Sequence, residues 1–110
     1  MKGREIIRKY KAGKRDFSRV GLRRAELEGA DLRDVNLSWA YLGKANLCGA
    51  NLAGANLIGC DFIEATLRNA NLNNADLRWA NLYEADVTST QLAQARSLKG
   101  AILPGGGRHK

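Results

Sequence analysis

The side chains that could support catalysis or metal binding are few and lie far apart in the sequence. The only histidine, His109, lies among glycines and charged residues near the end of the chain, where no rigid element is expected to hold it. The two cysteines, Cys48 and Cys60, lack a CxxC spacing, and one histidine cannot complete a zinc ligand set with them. The roles of general base, nucleophile partner and metal ligand are therefore unfilled. The sequence predicts a protein that is not an enzyme and that uses no cofactor and no metal.

A five-residue repeat organises most of the chain and must position any site that it has. From Arg15 onward, the centre of the repeat is Phe17 and then every fifth residue, always Leu, Phe or Val, up to Leu92. Two places before each centre from Leu22 to Val87 the residue is small, in most units Ala, and the residue between them is usually Asn, Asp, Thr or Glu. A period of five fits neither a helix nor an uninterrupted strand, so each unit must contain a short extended segment and a turn. The chain is predicted to wind around an inward column of Leu side chains.

The repeat predicts the orientation of the two cysteines, and the lack of long apolar runs predicts a compartment. In its register Cys60 faces inward as a small core residue and Cys48 faces outward. No stretch approaches the ~20 apolar residues of a membrane span, and the start of the chain lacks the apolar core of a signal peptide. We therefore expect reduced thiols and a cytoplasmic location, with at most a minor redox role for Cys48.

The motif Ala-(Asp/Asn)-Leu-X-X resembles that of the pentapeptide-repeat proteins, and the match extends from Arg15 to about Val87. The segments TyrLysAlaGlyLysArgAspPheSer and GlnLeuAlaGlnAlaArgSerLeuLysGlyAlaIleLeuPro are similar to the ends of members from photosynthetic bacteria. The resemblance implies an all-β solenoid, a right-handed quadrilateral parallel β-helix of about four coils with one unit on each side. Positions about 20 residues apart would then stack at roughly 4.8 Å, the spacing of neighbouring strands.

Short α-helical caps are predicted at both ends, because an open coil end exposes backbone groups and apolar side chains. Residues 4–12 place Ile6, Ile7 and Tyr10 on one side and charges on the other, and Gly13 follows as a stop signal. This pattern predicts a helical lid over the first coil.

At the other end, Thr88 and Gln91 have the spacing of a helix capping box. We predict a helix over about residues 89–98, with Leu92 as its first core residue and Gly100 as its stop signal. The predicted divisions of the chain are an N-terminal helical cap at 1–14, the pentapeptide-repeat β-helix at 15–88, a C-terminal helical cap and return segment at 89–104, and a flexible tail at 105–110.

Large outward-facing side chains gather on two of the four predicted sides. Trp39 and Trp79, the only tryptophans, fall in one column with Gly59 between them, whereas the other two sides carry mainly Asn and Glu. Because Trp, Tyr and Arg dominate interface energetics, we predict a binding face for an unidentified protein or for a second copy of the chain. The alternative is that these side chains only shield the backbone at the corners. The candidate protein-binding face comprises Trp39, Tyr41, Ile58, Ile63, Arg78, Trp79 and Tyr83.

The same columns predict mixed corner geometry. On the third and fourth sides, units end in residues that suit a type II turn with a positive φ, namely Gly29, Gly49, Gly54, Asn69 and Asn74. On the first two sides, units end in residues that do not suit it, namely Trp39, Trp79, Lys44, Glu64 and Glu84. Different turn types are therefore expected on different sides.

The net charge of +7 is concentrated at the ends of the chain. Residues 1–24 carry +8, residues 25–96 carry −4 and the remaining residues carry +3. A basic end could meet the phosphates of a nucleic acid. The alternative, which we favour, is that charge on an end cap keeps rods from stacking end to end. The candidate basic patch comprises Lys9, Lys11, Lys14, Arg15, Arg19, Arg23 and Arg24.

Some pentapeptide-repeat proteins bind DNA gyrase by imitating duplex DNA with acidic columns on a long dimeric rod. This chain resembles them in the repeat only, because it is short and basic and no outward column is continuously acidic. The sequence therefore predicts a non-enzymatic protein–protein interaction scaffold, with a nucleic-acid-associated or gyrase-interacting protein as the alternative.

Overall fold

Two short helices flank a long non-helical segment. The computed structural model describes all of residues 1–110, and its helices are α1 at Gly3–Lys11 and α2 at Ser89–Ala93. Neither helix has the length and apolar character that crossing a membrane requires. The molecule is elongated, with extents of 37 × 23 × 22 Å.

Parallel pairing at a spacing of 20 residues defines the segment between the helices. Isolated parallel bridges join residues that lie four repeats apart, the first linking Asp16 with Asn36 and the last of this spacing linking Thr66 with Asp86. These bridges do not lengthen into continuous strands, because a turn follows every extended segment. Since 20 residues correspond to four units, the backbone returns alongside itself once every four units.

Each unit bonds to the chain before it and to the chain after it. In the unit centred on Leu42, the Tyr41 N–H donates to the carbonyl of Val20 at 2.9 Å. The Leu42 N–H donates to the carbonyl of Asp61 at 2.7 Å. At the end of the unit, the N–H of Ala45, which begins the next unit, donates to the carbonyl of Leu42 at 3.0 Å and closes the β-turn. This ladder accounts for the backbone groups of the coil without regular strands.

The repeat centres and the small residues before them form one core. Every centre from Phe17 to Leu82 is at most 2% exposed, which confirms the predicted inward column. Ile6 of α1 and Leu92 of α2 belong to the same buried cluster. Both helices therefore extend the core at its ends.

The corners are uniform, and the predicted mixture of turn types is wrong. The last residue of each unit from Arg19 to Glu84 has a φ between 57° and 70°, whichever predicted side it belongs to, and Trp39 and Lys44 are no exception. The reason is the ladder, because the Trp39 N–H must donate to the carbonyl of Ile58 at 2.7 Å and the Lys44 N–H to that of Ile63 at 2.9 Å. A corner with another φ would move these donors away from their acceptors. The stacked neighbours therefore override the local preference against this conformation, which is about 1–2 kcal/mol for a non-glycine residue.

The polar residue before each centre has a structural role at the same corner. The Asn36 Oδ1 accepts from the Ser38 N–H at 3.0 Å, and the Asn46 Oδ1 accepts from the Cys48 N–H at 3.0 Å. Such side chain to backbone bonds stabilise turns. The Asn and Asp columns are therefore largely committed to the fold.

Helix α1 packs closely on the first turn of the coil. A Cβ added at Gly3 would lie 2.1 Å from the carbonyl oxygen of Glu26, so only glycine fits there. Ile6 is fully buried. The Tyr10 hydroxyl donates to the carbonyl of Arg33 at 2.7 Å. The hydroxyl thus satisfies a carbonyl of the first coil, which has no earlier coil to supply a backbone N–H.

Helix α2 begins with the predicted capping box. The Gln91 N–H donates to Thr88 Oγ1 at 3.1 Å, and the Thr88 N–H donates to Gln91 Oε1 at 2.9 Å. The Gln91 Nε2 also donates to the carbonyls of Leu67 and Ala70, at 2.7 and 3.0 Å. One side chain therefore starts the helix and covers two carbonyls at the far end of the coil.

Helix α2 is shorter than the sequence predicts, because it ends at Ala93 and not near Leu98. The chain leaves the helix and resumes the ladder, since the Asn74 N–H donates to the carbonyl of Gln94 at 3.0 Å. A bridge between Asp76 and the return segment follows. Pairing with the last turn of the coil therefore replaces the final helical turns.

Residues 105–110, for which the sequence predicts a flexible tail, run back alongside the return segment. The Gly100 N–H donates to the carbonyl of His109 at 2.7 Å, and the His109 N–H donates to the carbonyl of Ala101 at 2.7 Å. Ile102 and Arg108 form an antiparallel bridge. The local sequence gives no signal for this hairpin, because its partners are backbone groups that only the folded return segment presents.

The close approach of α1 gives a test of the lid. Gly3→Ala should lower the free energy of unfolding by about 1–3 kcal/mol, because the added methyl group would overlap the Glu26 carbonyl. Urea unfolding followed by circular dichroism measures the change. Gly21→Ala is the matched control, since nothing lies within 4 Å of its added Cβ. Equal stabilities for the two variants would contradict this packing.

Candidate protein-binding face

The two tryptophans of the candidate protein-binding face project from equivalent corners. Trp39 and Trp79 have φ values of 60° and 61°. The backbone N–H of Trp39 donates to the carbonyl of Ile58 at 2.7 Å, and the backbone N–H of Trp79 donates to that of Lys99 at 2.9 Å. The ladder therefore fixes both backbones, and both indoles leave the coil from the same column.

Each indole lies across a glycine of the following turn. A Cβ added at Gly59 would lie 2.2 Å from Cε3 of Trp39, and a Cβ at Gly100 would lie 2.2 Å from Cε3 of Trp79. One face of each ring is therefore packed against backbone, as the shielding interpretation expects. Nevertheless Trp39 is 46% exposed and Trp79 is 51% exposed. Shielding accounts for the inner face of each indole and leaves the outer face unexplained.

The exposed tyrosines extend the surface beyond the next corner. Tyr41 is 58% exposed and Tyr83 is 44% exposed. Apart from Met1, the large apolar side chains that are exposed are these two tyrosines and the two tryptophans. Ile58 and Ile63, the aliphatic members of the face, are half-buried. The exposed aromatic surface is thus confined to two adjacent sides of the coil.

Arg78, the charged member of the face, is held by Asp76. Its guanidinium makes an ion pair with that carboxylate, with Nη2 lying 2.7 Å from Oδ2 and Nε lying 2.9 Å from Oδ1. The Asp76 Oδ1 also accepts from the Arg78 N–H at 3.2 Å. The Arg78 guanidinium lowers the pKa of Asp76 below its usual 3.8, and the carboxylate raises the pKa of Arg78. Arg78 is therefore oriented before any partner arrives.

The candidate basic patch is spread around the N-terminal end. The Arg15 guanidinium stacks over the Tyr10 ring at 3.7 Å, and the Lys14 ammonium lies 5.1 Å from the centre of the Phe17 ring. Arg19 and Arg24 occupy positive-φ corners, and Lys9 and Lys11 lie in the last turn of α1. Arg23 and Arg24 also line a pocket of about 400 Å³ beside the first turn of α1. The three ion pairs of the protein involve none of these residues. The patch is a diffuse basic end with no single focus.

The cysteines have the predicted orientations. Cys60 is buried, and its Sγ donates to the carbonyl of Leu37 at 2.7 Å, whereas Cys48 is half-buried. Burial raises the pKa of the Cys60 thiol to about 12. No group of three or more His, Cys, Asp or Glu side chains lies close enough together to hold a metal ion.

Residues that the sequence did not assign to a site lie beside Trp79. A pocket of about 250 Å³ is lined by Trp79 and by five residues of the return segment and tail: Lys99, Gly100, Arg108, His109 and Lys110. Gly100 lies 21 residues after Trp79, one more than the 20-residue period of the coil, because the stretch that contains α2 has one extra residue. Continuing the tryptophan column by 20 residues in the sequence points to Lys99, which lines the same pocket, and misses Gly100 because the extra residue is visible only in the fold.

The two thiols should differ strongly in reactivity. At neutral pH Cys48 should react with a disulfide reagent such as dithionitrobenzoate, while Cys60 should stay protected until the protein unfolds, because it is buried and protonated. Thiol release with and without denaturant measures this, and Cys48→Ser isolates Cys60. Rapid labelling of Cys60 in the native Cys48→Ser protein would contradict the buried position.

The ion pair between Asp76 and Arg78 should make stability dependent on acid. The lowered pKa of Asp76 means that its contribution is present above pH 4 and is lost as the pH falls through its native pKa. Asp76→Asn should therefore flatten the loss of stability below pH 4, when urea unfolding is compared across pH. Arg78→Gln, which removes the ion pair and keeps the carboxylate, should also flatten the loss, because the guanidinium then no longer stabilises the charged form of Asp76.

Comparison with known proteins identifies the repeat. The family model described as pentapeptide repeats matches in eight copies, over residues 16–38, 30–69 and 60–96. No curated protein sequence matches the chain significantly.

Solved structures of repeat proteins are similar to the chain. The pentapeptide repeat protein alr5209 from Nostoc PCC 7120 is 41% identical over 93% of this chain and 75% of its own, with a TM-score of 0.47. HetL from Nostoc PCC 7120, a pentapeptide repeat protein involved in heterocyst differentiation regulation, is 36% identical over 86% of this chain, with a TM-score of 0.36. Rfr23 from Cyanothece 51142 is 38% identical over 64% of this chain, with a TM-score of 0.35. The match spans about half the length of HetL and of Rfr23.

Proposed function

Since the chain belongs to the pentapeptide-repeat family, whose members are generally structural or interaction proteins, we propose that it is a non-enzymatic scaffold that binds another protein. For its architecture we propose the right-handed, four-sided β-helix of the family, with helical caps at 1–14 and 89–104 and a tail at 105–110. The period of 20 residues supports four units per coil. The burial of Ile6 and Leu92 in the common core supports the two caps.

One observation carries the proposed function, namely the confinement of exposed aromatic side chains to two adjacent sides. Trp39, Tyr41, Trp79 and Tyr83 are each between 44% and 58% exposed. Aromatic side chains in contiguous exposed patches are the usual anchors of protein interfaces. Because the ladder holds their backbones rigidly, binding would order few additional groups, which favours affinity. The candidate protein-binding face is therefore the proposed contact surface.

Where duplex DNA is concerned, a nucleic-acid-associated or gyrase-interacting role has less support. The corner column of the second side changes sign along the coil, from Arg24 and Lys44 to Glu64 and Glu84. A mimic of duplex DNA needs a continuous negative surface, and a site for duplex DNA needs a continuous positive one. The diffuse basic end offers neither. Binding of duplex DNA at low ionic strength, abolished by neutralising Arg23 and Arg24, would revive this alternative.

The proposed function predicts that the tryptophans are required for association. The double variant Trp39→Ala, Trp79→Ala should lose at least about 2 kcal/mol of binding free energy, roughly a 30-fold weaker complex, because both anchors are removed. Affinity capture from the native cell with quantitative mass spectrometry measures the bound partner, and light scattering measures self-association.

The matched control is the double variant Asn69→Ala, Asn74→Ala, which changes two exposed, positive-φ corners on the opposite sides. It subjects the backbone to the same substitution and should leave association unchanged. Association that survives in the tryptophan variant and is abolished in the asparagine variant would overturn the proposed face. Loss of a dimer in light scattering would identify the partner as a second copy.

A further inference from the structure

The two tryptophans have equivalent backbones but different chemical surroundings. Trp39 lies over Gly59, with Ser38 and Ile58 as the neighbours in its own and the following coil, and Arg19 occupies the same corner column one coil earlier. Trp79 lies over Gly100 and lines a pocket with Lys99, Arg108, His109 and Lys110. None of the residues that line this pocket has an acidic side chain. The chain thus contains one aromatic platform with a single arginine in its column and one that shares a pocket with the side chains of Lys99, Arg108 and Lys110.

Hydrogen bonds hold the cationic segment beside Trp79. The Arg108 Nη1 donates to the carbonyl of Gly100 at 2.7 Å, which places this guanidinium next to the glycine that the indole covers. Two bonds of 2.7 Å tie the backbone of His109 to Gly100 and Ala101. The Trp79 N–H donates to the carbonyl of Lys99 at 2.9 Å. The platform and its cations are therefore positioned by the same backbone ladder.

The cationic side chains beside Trp79 form no ion pair within the protein. The three ion pairs are those of Arg33, Arg68 and Arg78 with nearby aspartates. Lys99, Arg108 and Lys110 take part in none of them, and Lys99 and Lys110 are exposed. Uncompensated cations around a concave, partly apolar surface raise the local concentration of anions.

From this juxtaposition we propose that the Trp79 pocket binds a nucleotide unit. The base stacks on the exposed face of the indole, and the phosphate faces the ammonium groups of Lys99 and Lys110. An exposed aromatic ring flanked by cations is the arrangement that binds single strands without sequence preference, because every base has a flat π-face. The pocket of about 250 Å³ is smaller than a site that encloses a whole ligand, so it would hold the base against the indole and leave the rest of the nucleotide in solvent. The nucleotide unit can come from a free nucleotide or from a single strand.

This proposal is independent of the proposed function, although the two share Trp79. A protein partner is sought by capture from the cell, whereas nucleotide binding is measured with purified protein and defined ligands. Failure to detect a protein partner therefore leaves nucleotide binding testable, and failure to detect nucleotide binding leaves the protein partner testable.

The first experiment uses the two tryptophans as separate reporters. In Trp39→Phe the only remaining tryptophan is Trp79, and in Trp79→Phe it is Trp39. Titration of Trp39→Phe with a short oligothymidylate should quench the fluorescence in a saturable manner, while the same titration of Trp79→Phe should not. Equal quenching of both proteins would overturn the proposal, because the Trp39 surface would then bind as well as the Trp79 pocket.

Ligand arms then distinguish the source of the nucleotide. Saturable quenching of Trp39→Phe by adenosine monophosphate as well as by oligothymidylate assigns the site to free nucleotides, and quenching by the oligonucleotide alone assigns it to single strands. Ribose 5-phosphate, which lacks the base, should compete at least about 5-fold more weakly, given the usual value of stacking. If ribose 5-phosphate competed as well as the nucleotide at the same concentration, the site would attract anions in general, and the proposal would be overturned. If polyglutamate did so, the site would instead bind an acidic protein, and the proposal would again be overturned.

Charge variants test the phosphate-binding role of the lysines without changing the platform. The double variant Lys99→Gln, Lys110→Gln should bind oligothymidylate more weakly, and its slope of log affinity against log salt should be smaller by about 0.7 for each phosphate that a lysine no longer neutralises. Lys44→Gln, an exposed lysine on the second side, is the control and should keep the wild-type slope. These variants retain Arg108, whose bond to Gly100 holds the segment, and thermal unfolding verifies that they stay folded. An unchanged slope in the double variant would overturn the assignment of the phosphate to these lysines.

Discussion

The backbone ladder between residues 20 apart is the interaction on which the rest of this structure depends. An interior unit donates three ladder hydrogen bonds, each worth about 0.5–1.5 kcal/mol net. It also contains one corner in the left-handed region, which costs about 1–2 kcal/mol where the residue is not glycine. The ladder is therefore strong enough to impose this corner on residues that disfavour it. Ten non-glycine residues, among them Trp39 and Glu84, adopt the corner conformation.

The ladder also determines how the surface is composed. Because equivalent residues stack, the outward side chains form columns, and each column lies on one side of the coil. A large side chain in one turn must be accommodated by its neighbour in the next, as Gly59 accommodates the Trp39 ring and Gly100 accommodates that of Trp79. Alternation of tryptophan and glycine thus allows flat aromatic surfaces on a narrow coil. The same alternation leaves the outer faces of the rings free to meet other molecules.

A ladder that repeats in one direction leaves unpaired groups at its two ends, and side chains complete it there. The Tyr10 hydroxyl donates to a carbonyl of the first turn, and the Gln91 amide donates to two carbonyls of the last complete turn. The helices that carry them add Ile6 and Leu92 to the core. Caps of this kind combine hydrogen bonding with apolar cover and so reduce the open edge at each end.

The sequence by itself determined the features that are local or periodic. The centres from Phe17 to Leu82, the burial of Cys60 and the capping box of Thr88 and Gln91 were all predictable, because each depends on spacing within a few residues or on strict repetition. The aromatic columns were predictable for the same reason, and the structure adds how far each ring is exposed. Only the tertiary structure decided the positive φ at Trp39, the end of α2 at Ala93 and the position of the tail beside Trp79. In each case the deciding partner is a backbone group supplied by another turn or by the return segment: the carbonyl of Ile58, the N–H of Asn74, and the N–H of Gly100. Local propensity contains no information about such partners, and their hydrogen bonds outweigh it.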